Sequence, residues 1–565
     1  MIDFKSSVGE LLANAIKELD FDEIVKNVEV PKNTEMGDFA FPCFKLASIY
    51  KKSPNMIAKE IVEKIEGNEN FEEIIVAGPY INFKINKNIL SKMIIEEVLD
   101  KKERFGSSKT GEGKNVIVEY SSVNIAKPFH MGHIRSTMIG YSLYKIYKFI
   151  GYNTTGINHL GDYGTQFGKL IVAYKLWGNE KAIELNPIPE LLKIYVKFHE
   201  EAEKDPELDN QARVWFTKLE GKDEEATKLW TWFKKVSLKE FERVYEMLGV
   251  HFDSFAGESF YSDMMPDLLN EMREKNIMSD DDGAEIVKLE EYDMPNALIT
   301  KSDGSSLYIT RDLTAAKYRK NEYDFYKNIY VVGSQQNLHF KQWIKIIDLM
   351  GYDWAYDCVH VGFGMVALEE GSLSTRSGRV IFLEDVLNKA VEKTKDIINE
   401  KNPDLENKDE IARQVGVGSV VFQELSNNRI KDYTFSWEET LSFEGETGPY
   451  VQYSHARACS VLRNANVKLE NIDYSLLNDK YSFDLIREIS KFNGVIEKAA
   501  IKYEPSLVTR YITHLAQLFN RFYHENPILV GDMELRKSRV ALVNAFKHVV
   551  KNGLSLIALE APEKM

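Results

Sequence analysis

Glu119 to Thr137 reads EYSSVNIAKPFHMGHIRST, and the fold is read outward from it. The stretch follows Val116-Ile117-Val118, a β-branched run suited to a buried strand, and leads into a helix-compatible segment from about Ile134. A strand that hands over to a helix through a short turn marks the C-terminal edge of a parallel sheet. Anions bind at such an edge, because backbone N–H groups and the helix dipole both point outward. His130-Met131-Gly132-His133 lies in this turn, and Gly132 leaves room for a flat ring or a phosphate to approach the backbone. Standing alone, the tetrapeptide is equally the pattern of two surface histidines.

Composition bounds what the stretch belongs to. The chain has 565 residues, 44% hydrophobic and 28% charged, which is enough for several cores. Cys43, Cys358 and Cys459 are far apart and show no zinc-ligand spacing, so a reducing compartment, the cytoplasm, is expected. No apolar run is long enough to span a membrane, and the N-terminus is an acid-bearing amphipathic helix pattern. The net charge of −15 argues against a protein that binds nucleic acid through global electrostatics. From Leu441 to Met565, however, 16 Lys and Arg face 14 Asp and Glu, a net +2, so the preceding 440 residues carry −17. A locally basic face near the C-terminus is compatible with that distribution.

In chain order, 1–106 alternates amphipathic helix patterns with short apolar runs and is expected to be an α+β domain. Within it Asp38 reads as a helix cap, and Ala77-Gly78-Pro79-Tyr80 as a turn before a strand. Residues 107–114 are small and polar and read as a linker. Residues 115–410 repeat the strand-turn-helix pattern, with Gly161-Asp162-Tyr163-Gly164 as a second turn, and imply a doubly wound α/β domain. A helical insertion is expected at about 175–285, with Trp215, Trp230 and Trp232 in its core, and short strands resume from Ile286. Tyr308 to Asp312 reads as the start of a β-rich run that ends at Gly333-Ser334-Gln335-Gln336. Ser372 to Gly378 is a hydroxyl- and glycine-rich loop able to close over phosphates. Residues 411–565 are helical by period and predict an all-α bundle.

Six segments, in order, carry a family resemblance: EYSSVNIAKPFHMGHIRST, NHLGDYGTQFG, YITRD, VVGSQQNLHF, LSTRSG and GPYVQYSHARACSVLR. Together they resemble the arginyl-tRNA synthetases of class I, over the whole length of the chain. GDFAFPCFKLA and AGPYINF resemble that family's N-terminal domain, and GLSLIALEAPEKM its closing segment. The resemblance implies a Rossmann-type, HUP-like catalytic domain at 115–410. It also implies an N-terminal domain that meets the tRNA elbow and an anticodon-binding bundle at 411–565.

It further implies ATP-dependent activation of L-arginine, with Mg2+ accompanying ATP, and transfer to tRNA(Arg), by a protein taken as a monomer without a membrane partner. His130, Gly132 and His133 match the family's first signature and would bind ATP. The second signature is degenerate: Ser372 and Thr375 stand where lysines are usual, leaving Ser374, Thr375 and Arg376 to hold the phosphates. Lys127 would then supply the missing cation. Glu119 and Asp312 match the guanidinium-recognising acids and Tyr308 their companion, while Asn124 and Gln336 would fix the amino acid's polar end. A planar fork of five N–H donors is best met by such carboxylates. Tyr450, Tyr453, Arg457 and Arg463 are candidate tRNA contacts, since unstacked bases are read by aromatic and guanidinium planes. Tyr163 stands where many relatives have tryptophan.

Two other readings compete. A nucleotidyltransferase sharing the histidine turn would have no use for YITRD or the helical C-terminal region. A non-catalytic tRNA-binding paralogue would explain the degenerate loop, but not the joint presence of Glu119, Asn124, Lys127, His130, His133, Tyr308, Asp312 and Gln336.

Overall fold

The computed structural model describes residues 4–31, 36–302, 307–368 and 382–565. The chain forms two compact units. The first comprises Met1–Phe105, Arg457–Phe492 and Leu515–Val549, and the second Gly106–Ala456, Asn493–His514 and Val550–Met565. The segment 411–565 thus contributes to both.

In the first unit β1 (Phe39–Pro42), β2 (Phe71–Ala77) and β3 (Tyr80–Ile85) form an antiparallel sheet in the order β1-β3-β2. The β2–β3 hairpin turns through Gly78, whose φ of +59° suits a residue without Cβ. Asp38 departs from its expected role as a helix cap. It precedes β1, and its Oδ2 accepts the Ile85 N–H at 2.9 Å, closing the end of a strand pair.

The second unit is built on a parallel sheet. Its strands are β4 (Asn115–Glu119), β5 (Asn153–Ile157), β9 (Lys327–Gly333) and β10 (Cys358–Phe363), in the order β10-β9-β4-β5. Between β5 and β9 lie the short antiparallel strands β6 (Ser279–Asp281), β7 (Ala284–Val287) and β8 (Ala297–Thr300). β11 (Val366–Leu368) and β12 (Tyr433–Phe435) form a separate parallel pair. Val116, Ile117 and Val118 are completely buried, which is why this run is continuous rather than alternating. The chain winds from β4 to β5 on one side, and β9 and β10 lie on the other. The strand order therefore reverses between β4 and β9, where a doubly wound sheet opens a crevice at its carboxyl edge.

The helix His133–Phe149 follows β4 and ends before Gly151, which adopts a φ of +91°. Between β5 and β9 the chain is helical from Thr165–Trp177 to Met265–Glu274. Strands resume at Ser279, earlier than the sequence suggests. The three tryptophans are half-buried rather than core. Trp230 and Trp232 line a cavity of about 940 Å³ with Tyr163, and Trp215 lies between Lys175 and Lys218. A second departure is Tyr308 to Asp312, which opens the helix Tyr308–Tyr323 instead of a strand. Ile309 and Thr310 are β-branched, but Ile309, Leu313 and Ala316 recur at helical spacing and are all buried, and that burial decides the conformation. Among the described residues no helix is long and apolar enough to cross a membrane, and the three cysteines are buried and form no disulfide.

Candidate active site

After Glu119 the chain enters a strained loop: Ser121, Ser122 and Ala126 adopt φ of +70°, +49° and +60°. Each such residue costs roughly 1–2 kcal/mol and persists only where neighbours fix it. Here each N–H is claimed from outside the loop: Ser121 donates to Ser136 Oγ (3.0 Å), Ser122 to Asn158 Oδ1 (3.2 Å) and Ala126 to Ser237 Oγ (3.1 Å). Ser136, on the helix after the turn, donates onward to the Val331 carbonyl of β9.

The loop delivers the two histidines to the start of the helix. His130 Nδ1 accepts the Gly132 N–H at 3.1 Å, and His133 Nδ1 accepts the His130 N–H at 3.2 Å. An accepting ring nitrogen carries no proton, so each neutral ring keeps its proton on Nε2. Burial pushes both imidazoles down, with Lys127 adding to the effect at each; His133, which also faces the His130 ring, falls to about 3. Both rings are therefore neutral near pH 7 and retain an Nε2–H donor.

Lys127 lines a cavity of about 520 Å³ with Tyr195 and His199 of the helix Pro187–Ala202. Leu383 N–H donates to the Phe129 carbonyl at 3.0 Å and Phe382 bridges His130, so the chain returns beside the histidines directly after 369–381. Ser372, Ser374, Thr375, Arg376 and Gly378 lie outside the described residues. The helix itself is anchored by Arg135, 1% exposed, whose Nε donates to the buried Glu424 at 2.8 Å.

A second group of side chains gathers at the ends of β4 and β9. Glu119 is buried, and its Oε2 accepts from Arg319 Nη1 at 2.6 Å, with the Arg319 guanidinium over Tyr261 and Tyr330. The acid expected to meet a guanidinium thus already holds one from its own chain. Asp312 and Tyr308, four apart on one helix, share a face. Asp312 Oδ2 lies 2.5 Å from His339 Nε2, which joins YITRD to SQQNLHF. A surface pair between Asp312 and Arg311 is not formed. Arg311 instead donates to Glu258 Oε2 at 3.1 Å.

Burial, together with Asp312 and Asp162, pushes the Glu258 carboxyl up to about 7, although Arg311 opposes the shift. Asp162 is fully buried and saturated by Lys234 (2.6 Å), Ser259 N–H (2.8 Å) and Ser259 Oγ (2.7 Å). Asn124 is exposed, and its amide occupies the space left by the missing side chain of Gly161: a Cβ there would fall 2.1 Å from Asn124 Oδ1. Gln336 is exposed in a single 3₁₀ turn at the end of β9, and Tyr308 is 59% exposed. Tyr163 donates to Glu220 at 3.0 Å, with its ring against Arg311.

Tyr450, Tyr453, Arg457 and Arg463 all lie on the helix Gly448–Asn464. Tyr450, Tyr453 and Arg457 share one face by spacing, while Arg463 falls on another. Arg457 is engaged by Asn520 Oδ1 at 2.5 Å and by the Tyr523 ring. Sequence reasoning missed Glu258, Arg319, His339 and the role of Asp162. The only signals were an acid in a glycine-bounded turn (Asp162), an acid after Gly257 and a histidine inside a motif already quoted; Arg319 left none.

Residues 94–437 match the family described as tRNA synthetases class I (R), catalytic domain. Residues 451–565 match the DALR anticodon binding domain, and 6–85 the arginyl tRNA synthetase N terminal domain. Curated relatives include the arginine–tRNA ligases of Halothermothrix orenii and Clostridioides difficile, each 61% identical over 566 residues and covering 100% of both chains. Among solved structures, the arginyl-tRNA synthetase of Thermus thermophilus shares the fold with a TM-score of 0.83 at 24% identity, covering 100% of each chain.

Proposed function

The chain belongs to the class I arginyl-tRNA synthetases, and from that premise we propose how its own residues carry the reaction. It is an arginine–tRNA ligase. The carboxylate of L-arginine attacks the α-phosphate of ATP and releases pyrophosphate; the arginyl group then passes to the 3′-terminal adenosine of tRNA(Arg), releasing AMP. Such chemistry depends on positioning and on donors aimed at oxygens that gain charge, more than on covalent work by the protein.

His130 and His133 donate from Nε2 to the ATP phosphates at a helix N-terminus, with Gly132 beneath the nucleotide. Lys127 is the cation for the charge that develops on pyrophosphate. By the family resemblance, Ser374, Thr375 and Arg376 also serve the ATP phosphates. Mg2+ would accompany ATP as part of the substrate and would neutralise phosphate charge, needing few protein ligands because it keeps most of its waters.

Asp312, with Tyr308 beside it, receives the substrate guanidinium. Glu258, a partly buried acid close to Asp312, is its second acceptor. Glu119 takes part through its other carboxylate oxygen, Oε2 being held by Arg319. Asn124 and Gln336 hold the α-amino and carboxylate end. Tyr450, Tyr453, Arg457 and Arg463 belong to the anticodon-binding part, 411–565, and 1–106 meets the tRNA elbow, with 107–114 joining it to the catalytic part, 115–410. The enzyme works as a monomer in the cytoplasm, where its buried thiols stay reduced.

The observation that carries this reading is that both Nδ1 atoms are already spent on the backbone, which leaves two adjacent rings with Nε2 donors at the sheet's switch point. The test is charging of total tRNA with radiolabelled arginine, run beside lysine and citrulline. Arginine alone should be esterified, because each analogue leaves a buried acceptor unpaired or a charge uncompensated. Absence of charging would favour the non-catalytic paralogue.

A further inference from the structure

Arg311 has no task in the mechanism above, yet it is among the most constrained charges in the second unit. It is 7% exposed, and its guanidinium lies 5.0 Å from the ring centre of Tyr163 and 5.0 Å from that of Tyr308. Nη1 donates to Glu258 Oε2 at 3.1 Å, and Nε has no hydrogen-bond partner among the described residues. Tyr163 is in turn tied to Glu220. The guanidinium, set against two aromatic rings one residue before Asp312, is directed at Glu258.

We propose that Arg311 is a positioning residue for substrate arginine, pinning Glu258 beside Asp312 so that the incoming guanidinium meets two ionised carboxylates. This rests on the reading of Asp312 and Glu258 as guanidinium acceptors. Two acids alone in a buried site repel, and one of them takes up a proton. A protonated Glu258 would no longer offer the pair of acceptors a guanidinium fork requires. The charges facing Glu258 are Arg311, Asp312 and Asp162. Asp162 is already paired with Lys234 and Asp312 lies within hydrogen-bond distance of His339, while Arg311 is the cation that meets Glu258 directly. Because the Glu258 carboxyl sits near 7 even with Arg311 in place, losing that cation would leave it protonated through the neutral range. Lysine would keep the charge but lose the planar stack on Tyr163 and Tyr308.

The experiment is the arginine KM in aminoacylation from about pH 6.5 to about pH 9, for wild type, Arg311→Ala, Arg311→Lys, Glu258→Gln and the double variant Arg311→Ala/Glu258→Gln, with ATP KM as the control. Arg311→Ala should raise the arginine KM about 30-fold or more near pH 7, leave kcat and ATP KM within about threefold, and recover as pH rises and Glu258 ionises. Arg311→Lys should fall between, and the double variant should lose the pH dependence. If Glu258→Gln leaves the arginine KM unchanged, the acceptor reading is wrong. If Glu258→Gln raises it but Arg311→Ala has no effect, or a defect flat in pH, the positioning role is overturned. Should Arg311→Ala be insoluble, the neutral Arg311→Gln takes its place, and a pH-flat defect in that variant overturns the role equally.

Discussion

The imidazole rings of His130 and His133 stand 3.9 Å apart, centre to centre, and each accepts a backbone N–H through Nδ1. The donor left to each ring is at Nε2. A glutamine amide nitrogen reaches about as far as Nε2 and an asparagine amide about as far as Nδ1. His133→Gln should therefore keep roughly tenfold more arginine-dependent pyrophosphate exchange than His133→Asn, while alanine at either position should cost about 10²–10³-fold. Equal losses in the glutamine and asparagine variants would contradict the tautomer assigned here.

Burial of His133 also couples stability to pH. Its folded pKa, about 3, lies below the ordinary 6.5, so the folded state disfavours the charged ring. The associated stability is complete above about 6.5 and is lost as pH falls toward 3. From pH 6.5 to pH 5 the loss is about 2 kcal/mol. Thermal unfolding midpoints at pH 7, 6 and 5 should fall more steeply for wild type than for His133→Gln, and parallel slopes would refute the coupling.

Under the proposed mechanism Lys127 stands in for a cation that the second signature lacks. Lys127→Ala should lower arginine-dependent pyrophosphate exchange, measured with tRNA present, by about 100-fold, while arginine KM moves little. Exchange near the wild-type rate would remove Lys127 from the transition state.

Gly161 makes room for Asn124, since an added Cβ would lie 2.1 Å from Asn124 Oδ1. That atom ends a short side chain which can swing away, so Gly161→Ala should fold normally but misplace the amide. An arginine KM raised about tenfold with an unaltered ATP KM is expected. A substitution without effect on arginine binding would exclude Asn124 from the amino acid's polar end.

What was legible in the sequence follows physical range. β4 and the histidine turn are visible because burial on both faces writes an unbroken β-branched run, and the turn after it is local. The site's long-range pairs leave no such trace. Glu119 and Arg319 are 200 residues apart and meet only because β4 is packed against the helix Tyr308–Tyr323. Glu258 approaches Asp312 through a return of the insertion to the sheet edge, where Ile157 bridges Ser254. At YITRD local propensity misleads outright, because tertiary burial of Ile309, Leu313 and Ala316 outweighs two β-branched residues.

The anchoring of the histidine helix has a consequence in time. Arg135 finds its carboxylate at Glu424, 289 residues later, and Ser142 Oγ finds the Leu556 carbonyl 414 residues later. At 5–20 residues per second, the ribosome needs roughly 20–80 s to synthesise that last partner after Ser142 emerges. Glu424 is synthesised sooner, roughly 15–60 s after Arg135, and until then the nascent histidine helix carries a buried-type arginine with no counter-charge. A prematurely terminated chain therefore exposes an unfinished ATP site to proteases and chaperones, so that activity and survival of the polypeptide are secured at nearly the same moment of synthesis.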